Sequence, residues 1–134
     1  MIVDTSAVIA ILRGEPAAGR CIEALATADG ARMSAGTYLE SAIVTDANRD
    51  PVLSSRLDAL LSEADVVIEA VTREQAEIGR RAYRDFGKGS GHRAGLNLGD
   101  CFAYALARAT GEPLLYQGED FVHTDVAAAL EVPY

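Results

Sequence analysis

Cysteine is scarce in this 134-residue chain, with Cys21 and Cys101 the only two. Two thiols cannot build the disulfide framework of a small secreted scaffold, and their separation fits no paired zinc-ligand spacing. A reducing cytoplasm is the compartment that this usage implies. No stretch approaches the roughly 18 consecutive apolar residues of a bilayer-spanning helix, so no membrane span is expected. Met1-Ile2-Val3-Asp4 offers no basic stretch ahead of an apolar one, and no secretory signal is read there. Cations are few as well: 12 Lys plus Arg face 20 Asp plus Glu, for a net charge of −8. Lys88 is the only lysine. Such a balance excludes a protein that coats DNA with a broad cationic surface, but not an enzyme with a local basic patch. Internal repeats, low-complexity tracts and linkers are also missing.

What is present is ordinary globular material, 49% hydrophobic and 24% charged. The length suits one domain, residues 1–134, with one core. Strands and helices alternate along it. Met1-Ile2-Val3 reads as a short strand, with a helix from Asp4-Thr5-Ser6 to about Leu12 and a break at Gly14-Glu15-Pro16. A second helix is expected near Ala17 to Ala28, and a strand at Arg32-Met33-Ser34. The helix from about Thr37 to Asn48 places Leu39, Ile43, Val44 and Ala47 at helical spacing. Asp50-Pro51 opens another, striped by Leu53, Leu57, Leu60, Leu61 and Ala64. The β-branched run Val66-Val67-Ile68 suits a strand covered on both faces. Thr72 caps a helix to about Phe86, a polar glycine-rich loop spans Gly87 to Gly95, and Asn97 to Thr110 is a helix closed by Gly111 and Pro113. Leu114-Leu115-Tyr116 is a strand, Phe121 to Leu130 reads as helical, and Glu131-Val132-Pro133-Tyr134 is at most an edge strand. This alternation predicts an α/β domain with a central, mostly parallel sheet flanked by helices.

Ligands of such sheets bind outside the carboxyl ends of the strands. Four acids fall where that end would gather them: Asp4 after the first strand, Glu40 early in the helix after the second, Asp100 at a helix start, and Asp120 beyond a late strand. Each has a plainer role open to it. Asp4 suits an N-cap, and Thr37-Tyr38-Leu39-Glu40 matches a capping box. Asp100 suits a helix dipole with Asn97 as cap, and Asp120 suits the cap of a last helix.

The words around these acids carry a resemblance. They are Met1-Ile2-Val3-Asp4-Thr5-Ser6-Ala7, Ser34-Ala35 followed by Leu39-Glu40, and Phe86-Gly87-Lys88-Gly89. Next come Asn97-Leu98-Gly99-Asp100-Cys101-Phe102-Ala103-Tyr104-Ala105-Leu106-Ala107, the most specific of them, then Glu112-Pro113-Leu114-Leu115-Tyr116-Gln117-Gly118-Glu119-Asp120-Phe121, and Thr124-Asp125. Together they resemble VapC-type toxins, PIN-domain ribonucleases of bacterial toxin–antitoxin pairs, over nearly the whole chain and in order. The resemblance implies a PIN-like fold. It also implies a metal-dependent endoribonuclease that holds Mg²⁺ or Mn²⁺ on Asp4, Glu40, Asp100 and Asp120, with Ser6 supporting the first acid. Glu119 stays an alternative to Asp120. The Lys88 to Arg93 loop departs from the shorter link, ending in His-Pro, of similar proteins. Partners implied are a VapB-like antitoxin, RNA (transfer RNA among the candidates, with arrest of translation), a second toxin copy and a toxin–antitoxin hetero-oligomer.

Physical chemistry fits that ligand set. Mg²⁺ prefers oxygen donors, and carboxylates at close range repel one another until a cation relieves them. In-line hydrolysis of a phosphodiester is the expected reaction. For RNA approach, Arg80, Arg84, Lys88 and Arg93 are the proposed phosphate contacts, the first three forming one helical stripe if the helix runs far enough. The apolar runs Ile9 to Leu12 and Leu57 to Leu61 offer a groove or dimer surface, although core burial explains them too. Cys101, Ala105 and Leu106 read as packing, and His92 and His123 as polar structural residues. A phosphatase using Asp4 as nucleophile would want an acid where Ser6 stands. A phospho-acceptor domain would want a lysine after a late strand. A binding module that merely kept the fold would have no need of all four acids.

Overall fold

The computed structural model describes residues 1–130. Four strands form a sheet of order β3-β2-β1-β4, with every pairing parallel. They are β1 (Ile2–Val3), β2 (Ala31–Ser34), β3 (Val66–Glu69) and β4 (Leu114–Leu115). Helices α1 (Thr5–Leu12) and α2 (Ala18–Thr27) join β1 to β2, and α3 (Ala35–Asp46) and α4 (Pro51–Glu63) join β2 to β3. Two more, α5 (Arg73–Phe86) and α6 (Leu98–Thr110), join β3 to β4.

Alternation along the strands sorts the core into two layers. Val3, Met33 and Leu115 point to one face, against Val8, Leu25 and Leu57 from α1, α2 and α4. Ile2 and Leu114 point to the other, against Ala82 of α5 and Ala103 and Leu106 of α6. Chain order runs outward from β1 through β2 to β3, then returns to place β4 on the other side of β1. The β1–β4 seam is therefore the switch point, where parallel sheets leave a crevice at their carboxyl ends.

Local chemistry sets most helix ends. Asp4, Asp50, Thr72 and Asn97 each accept a backbone N–H of the helix they precede. Gly111 ends α6 at φ 71, a left-handed conformation that suits glycine. Cys101, Ala105 and Leu106 are buried, as expected of packing residues.

Five expectations need correction. Helix α3 starts earlier, with Ser34 rather than Thr37 as its cap, and Thr37 lies buried inside it. Its stripe is inverted: Thr37, Ser41 and Thr45 face inward, while Leu39 and Ile43 are 58% and 60% exposed. Val66–Glu69 is an edge strand, so Val67 and Ile68 are open to solvent rather than covered on both faces. Residues 121–130 form turns and a bridge from Ala128 to Leu114 in place of a helix. The runs Ile9 to Leu12 and Leu57 to Leu61 are mostly core: Ala10, Ile11, Leu12, Leu57 and Leu61 are buried, which removes them as a free groove. The edge strand expected at Glu131 to Tyr134 lies outside the described residues.

Candidate active site

A cleft of about 380 Å³ opens at the β1–β4 switch point, and Asp4, Glu40, Asp100 and Asp120 all line it. Four separate elements deliver them. Asp4 follows β1 and caps α1, Glu40 projects from α3, Asp100 stands in the first turn of α6, and Asp120 sits in the turn after β4. Asn97, Ser6 and Gln117 stand on the same wall. Glu119 is exposed and is not among the residues lining the cleft, so of the two alternatives it is Asp120 that faces the other acids.

Asp4 is nearly fully buried. Its Oδ2 accepts from the Ser6 N–H at 3.0 Å and from the Ser6 hydroxyl at 2.6 Å. The Ser6 Oγ in turn accepts the Gln117 N–H at 2.9 Å, tying the segment after β4 to the start of α1. Among the described residues, Asp4 Oδ1 is buried with no hydrogen-bond partner. An orphaned carboxylate oxygen is costly unless something positive reaches it. Burial, with the Glu40 charge adding to it, pushes the Asp4 pKa up to about 6 despite the Ser6 hydrogen bonds.

Asp100 holds two roles at once. It completes a capping box with Asn97, whose N–H donates to Asp100 Oδ2 at 3.0 Å while the Asp100 N–H donates to Asn97 Oδ1 at 2.9 Å. It also faces the cleft. Burial first, then the charges of Asp4, Asp120 and Glu40, raise its pKa to about 7. The capping role foreseen for Glu40 is absent, because its Oε1 accepts from the Thr5 hydroxyl at 2.6 Å, across from α1.

Every donor set toward the cleft by these acids is oxygen, the chemistry of a hard divalent cation such as Mg²⁺ or Mn²⁺. Among the described residues no three His, Cys, Asp or Glu side chains close around one point as a ready-made metal cage. That is compatible with Mg²⁺, which keeps several waters and takes few protein ligands. The orphaned Asp4 oxygen and the two raised carboxyl groups make the site one that a cation would relieve.

The cationic residues are elsewhere. Helix α5 ends at Phe86, which takes Lys88 off the helical stripe; its N–H instead bonds Leu96 O at 2.8 Å. Arg80, Arg84, Lys88 and Arg93 are all exposed, Arg84 pairs with Asp85 at 3.1 Å, and none of the four lines the acid cleft. His92 is a loop residue whose Nδ1 accepts the Ala94 N–H. Reasoning from sequence passed over Thr5, Gln117 and Glu15, which also line the cleft. Thr5 stands directly beside Asp4, a signal that was available. Gln117 contributes a backbone N–H, which no residue type announces.

Comparison with known proteins gives a consistent picture. A family model described as PIN domain matches residues 1–127. The chain is 59% identical over 131 residues to Ribonuclease VapC28 of Mycobacterium tuberculosis, covering 98% of both chains. It is 51% identical over 128 residues to Ribonuclease VapC30 of the same species, covering 95% of this chain and 96% of that one. In fold it is similar to a toxin–antitoxin complex from Klebsiella pneumoniae, with TM-score 0.71 at 20% identity and 98% of both chains covered. It is likewise similar to Mycobacterium tuberculosis VapC20, a Sarcin-Ricin loop cleaving toxin, with TM-score 0.71 at 17% identity, covering 94% and 95%.

Proposed function

The chain belongs to the PIN-domain family, among the VapC ribonucleases, and on that footing we propose that it is the endoribonuclease toxin of a toxin–antitoxin pair, cutting RNA at the four-acid cleft with Mg²⁺ or Mn²⁺. The observation that carries this reading is the convergence of Asp4, Glu40, Asp100 and Asp120 from four elements on one crevice, with Asp4 Oδ1 left unpaired. Asp4 and Asp100 are the main ligands in this account. Glu40 and Asp120 orient the phosphodiester and the attacking water, and Ser6 holds the Asp4 carboxylate in place. When bound, the cation lowers the pKa of a water and offsets charge developing on the phosphate. Cleavage of RNA needed for protein synthesis, transfer RNA among the candidates, would arrest translation.

A cleavage assay with purified protein and single-stranded RNA tests this. Cleavage should require added Mg²⁺ or Mn²⁺, vanish with EDTA and return with excess Mn²⁺. Undiminished cutting in EDTA would remove the metal from the account. In the same assay, reversing Arg84 and Lys88 to Glu should weaken RNA binding and flatten its dependence on salt. An unchanged salt slope would remove α5 and its loop from the phosphate footprint.

Partners follow from charge and surface. The net charge of −8 suits a basic antitoxin segment. The inverted face of α3 and the start of α6 bring Leu39, Ile43, Leu98 and Phe102 together along an open trough of about 450 Å³. Leu98 is 70% exposed there. A second copy of the chain is the occupant proposed for this face. Ile43→Asp with Leu98→Asp should shift the sedimenting species from dimer to monomer with little change in melting temperature, because neither side chain is in the core. Dimers that survive both changes would move the interface elsewhere.

A further inference from the structure

Of the four converging acids Glu40 has the longest side chain, and a flexible carboxylate needs something to hold it. Two neighbours on different helices bear on it. Thr5 Oγ1 lies 2.6 Å from Glu40 Oε1 and 3.5 Å from the Thr37 carbonyl, so its single proton belongs to Glu40. The Ser41 hydroxyl donates to Thr5 Oγ1 at 3.1 Å, which occupies a lone pair and keeps the Thr5 proton turned toward the carboxylate. On the opposite side stands Gly99 of α6. A Cβ added there would fall within the Glu40 carboxylate group, overlapping its carbon and both oxygens. Gly99 is not in the left-handed region, unlike Gly111, so its backbone does not call for glycine. In the first turn of a helix, alanine is the favoured residue of the two. The glycine is explained by what packs on it.

We propose that Thr5 and Gly99 are positioning residues that together set the Glu40 carboxylate in the cleft, Thr5 by donating a hydrogen bond and Gly99 by having no side chain. This rests on the reading of the cleft as the metal site. Because the overlapping atoms are the far end of a flexible side chain, Gly99→Ala displaces the carboxylate and leaves the fold intact. The function is lost without the stability.

The test measures Mn²⁺ affinity, from the rise in melting temperature with added Mn²⁺, alongside RNA cleavage, all on the full chain. Gly99→Ala should leave the metal-free melting temperature unchanged or higher, while Mn²⁺ affinity and cleavage fall roughly 10- to 100-fold, the usual cost of disturbing a ligand's support. Thr5→Val should lose about tenfold in both, and Thr5→Ser, which keeps the hydroxyl, should retain them. In a Glu40→Gln background, adding Gly99→Ala should change nothing further, since the group it displaces has already been disabled. Wild-type affinity and rate in Gly99→Ala would overturn the inference. So would a steep fall in its metal-free melting temperature, or a loss that persists in full beside Glu40→Gln. A silent Glu40→Gln would be a different failure, removing Glu40 from the metal site and this inference with it.

Discussion

Asp100→Asn should abolish RNA cleavage while making the metal-free protein more stable. Both halves come from one cause. Burial and three neighbouring carboxylates hold the Asp100 pKa at about 7, so keeping it charged at neutral pH works against the fold. Asparagine retains an oxygen for the Asn97 N–H, which preserves the start of α6, and removes the charge. The melting temperature in EDTA should rise by roughly 2–8 °C, the shift expected from about 1 kcal/mol in a domain of this size. Cleavage should fall at least about 100-fold, as removing a support residue alone commonly costs 10- to 100-fold. Asp4→Asn should behave alike, because Asp4 is buried and shares the repulsion with Glu40. Asp120→Asn should stabilise less, since Asp120 is exposed. Gains in stability from a residue that function needs are a common trade. Retained cleavage in Asp100→Asn would refute the site, and a lower melting temperature would refute the account of its strain.

The second large effect is on pH. In EDTA, stability should fall as the pH rises from about 5 to about 7.5, the reverse of what paired carboxylates give. Asp4 and Asp100 release their protons near 6 and 7 when folded, but near 3.9 when unfolded. Across that interval the folded chain binds more protons than the unfolded chain, so raising the pH favours unfolding. Their contribution is complete below about pH 4 and is lost as the pH passes through the folded values. Glu112 works in the opposite sense: burial opposes its ionisation, but the N-terminal ammonium and Arg32 outweigh this and lower its pKa. Its effect falls at more acid pH, outside the window. A fall of about 5 °C or more between pH 5 and 7.5 is expected. Saturating Mn²⁺ should flatten or invert the trend, because metal binding displaces the same protons. Melting curves across the range, with EDTA and with Mn²⁺, decide it; a flat or rising metal-free curve would refute the strained-acid picture.

The parts of the molecule that were legible in sequence are those written in local chemistry. Asp4, Asp50, Thr72 and Asn97 announce helix starts because a capping oxygen acts within three residues. Gly111 announces a stop because its backbone must be left-handed. The four acids could be gathered because the ends of parallel strands meet at one edge. What failed depends on distant atoms. Thr37 and Glu40 spell a capping box, but Thr5, on another helix, takes the Glu40 oxygen and Ser34 takes the cap. Leu39 and Ile43 mark an apolar face, yet periodicity does not say which side of the helix the core occupies. Val66-Val67-Ile68 has the composition of a covered strand, but its place at the sheet edge is set by the order of the other three. Lys88 lost its place on the stripe to a single glycine, Gly87, that ends α5.

The β1–β4 seam also orders events in time. On the cleft wall Asp4, Ser6 and Glu40 precede β3 in the chain while Asp100, Gln117 and Asp120 follow it, and the Ser6–Gln117 link spans 111 positions. No stretch ending short of Asp120 holds the full set. A chain still being made therefore cannot assemble the cleft before β4 has docked beside β1.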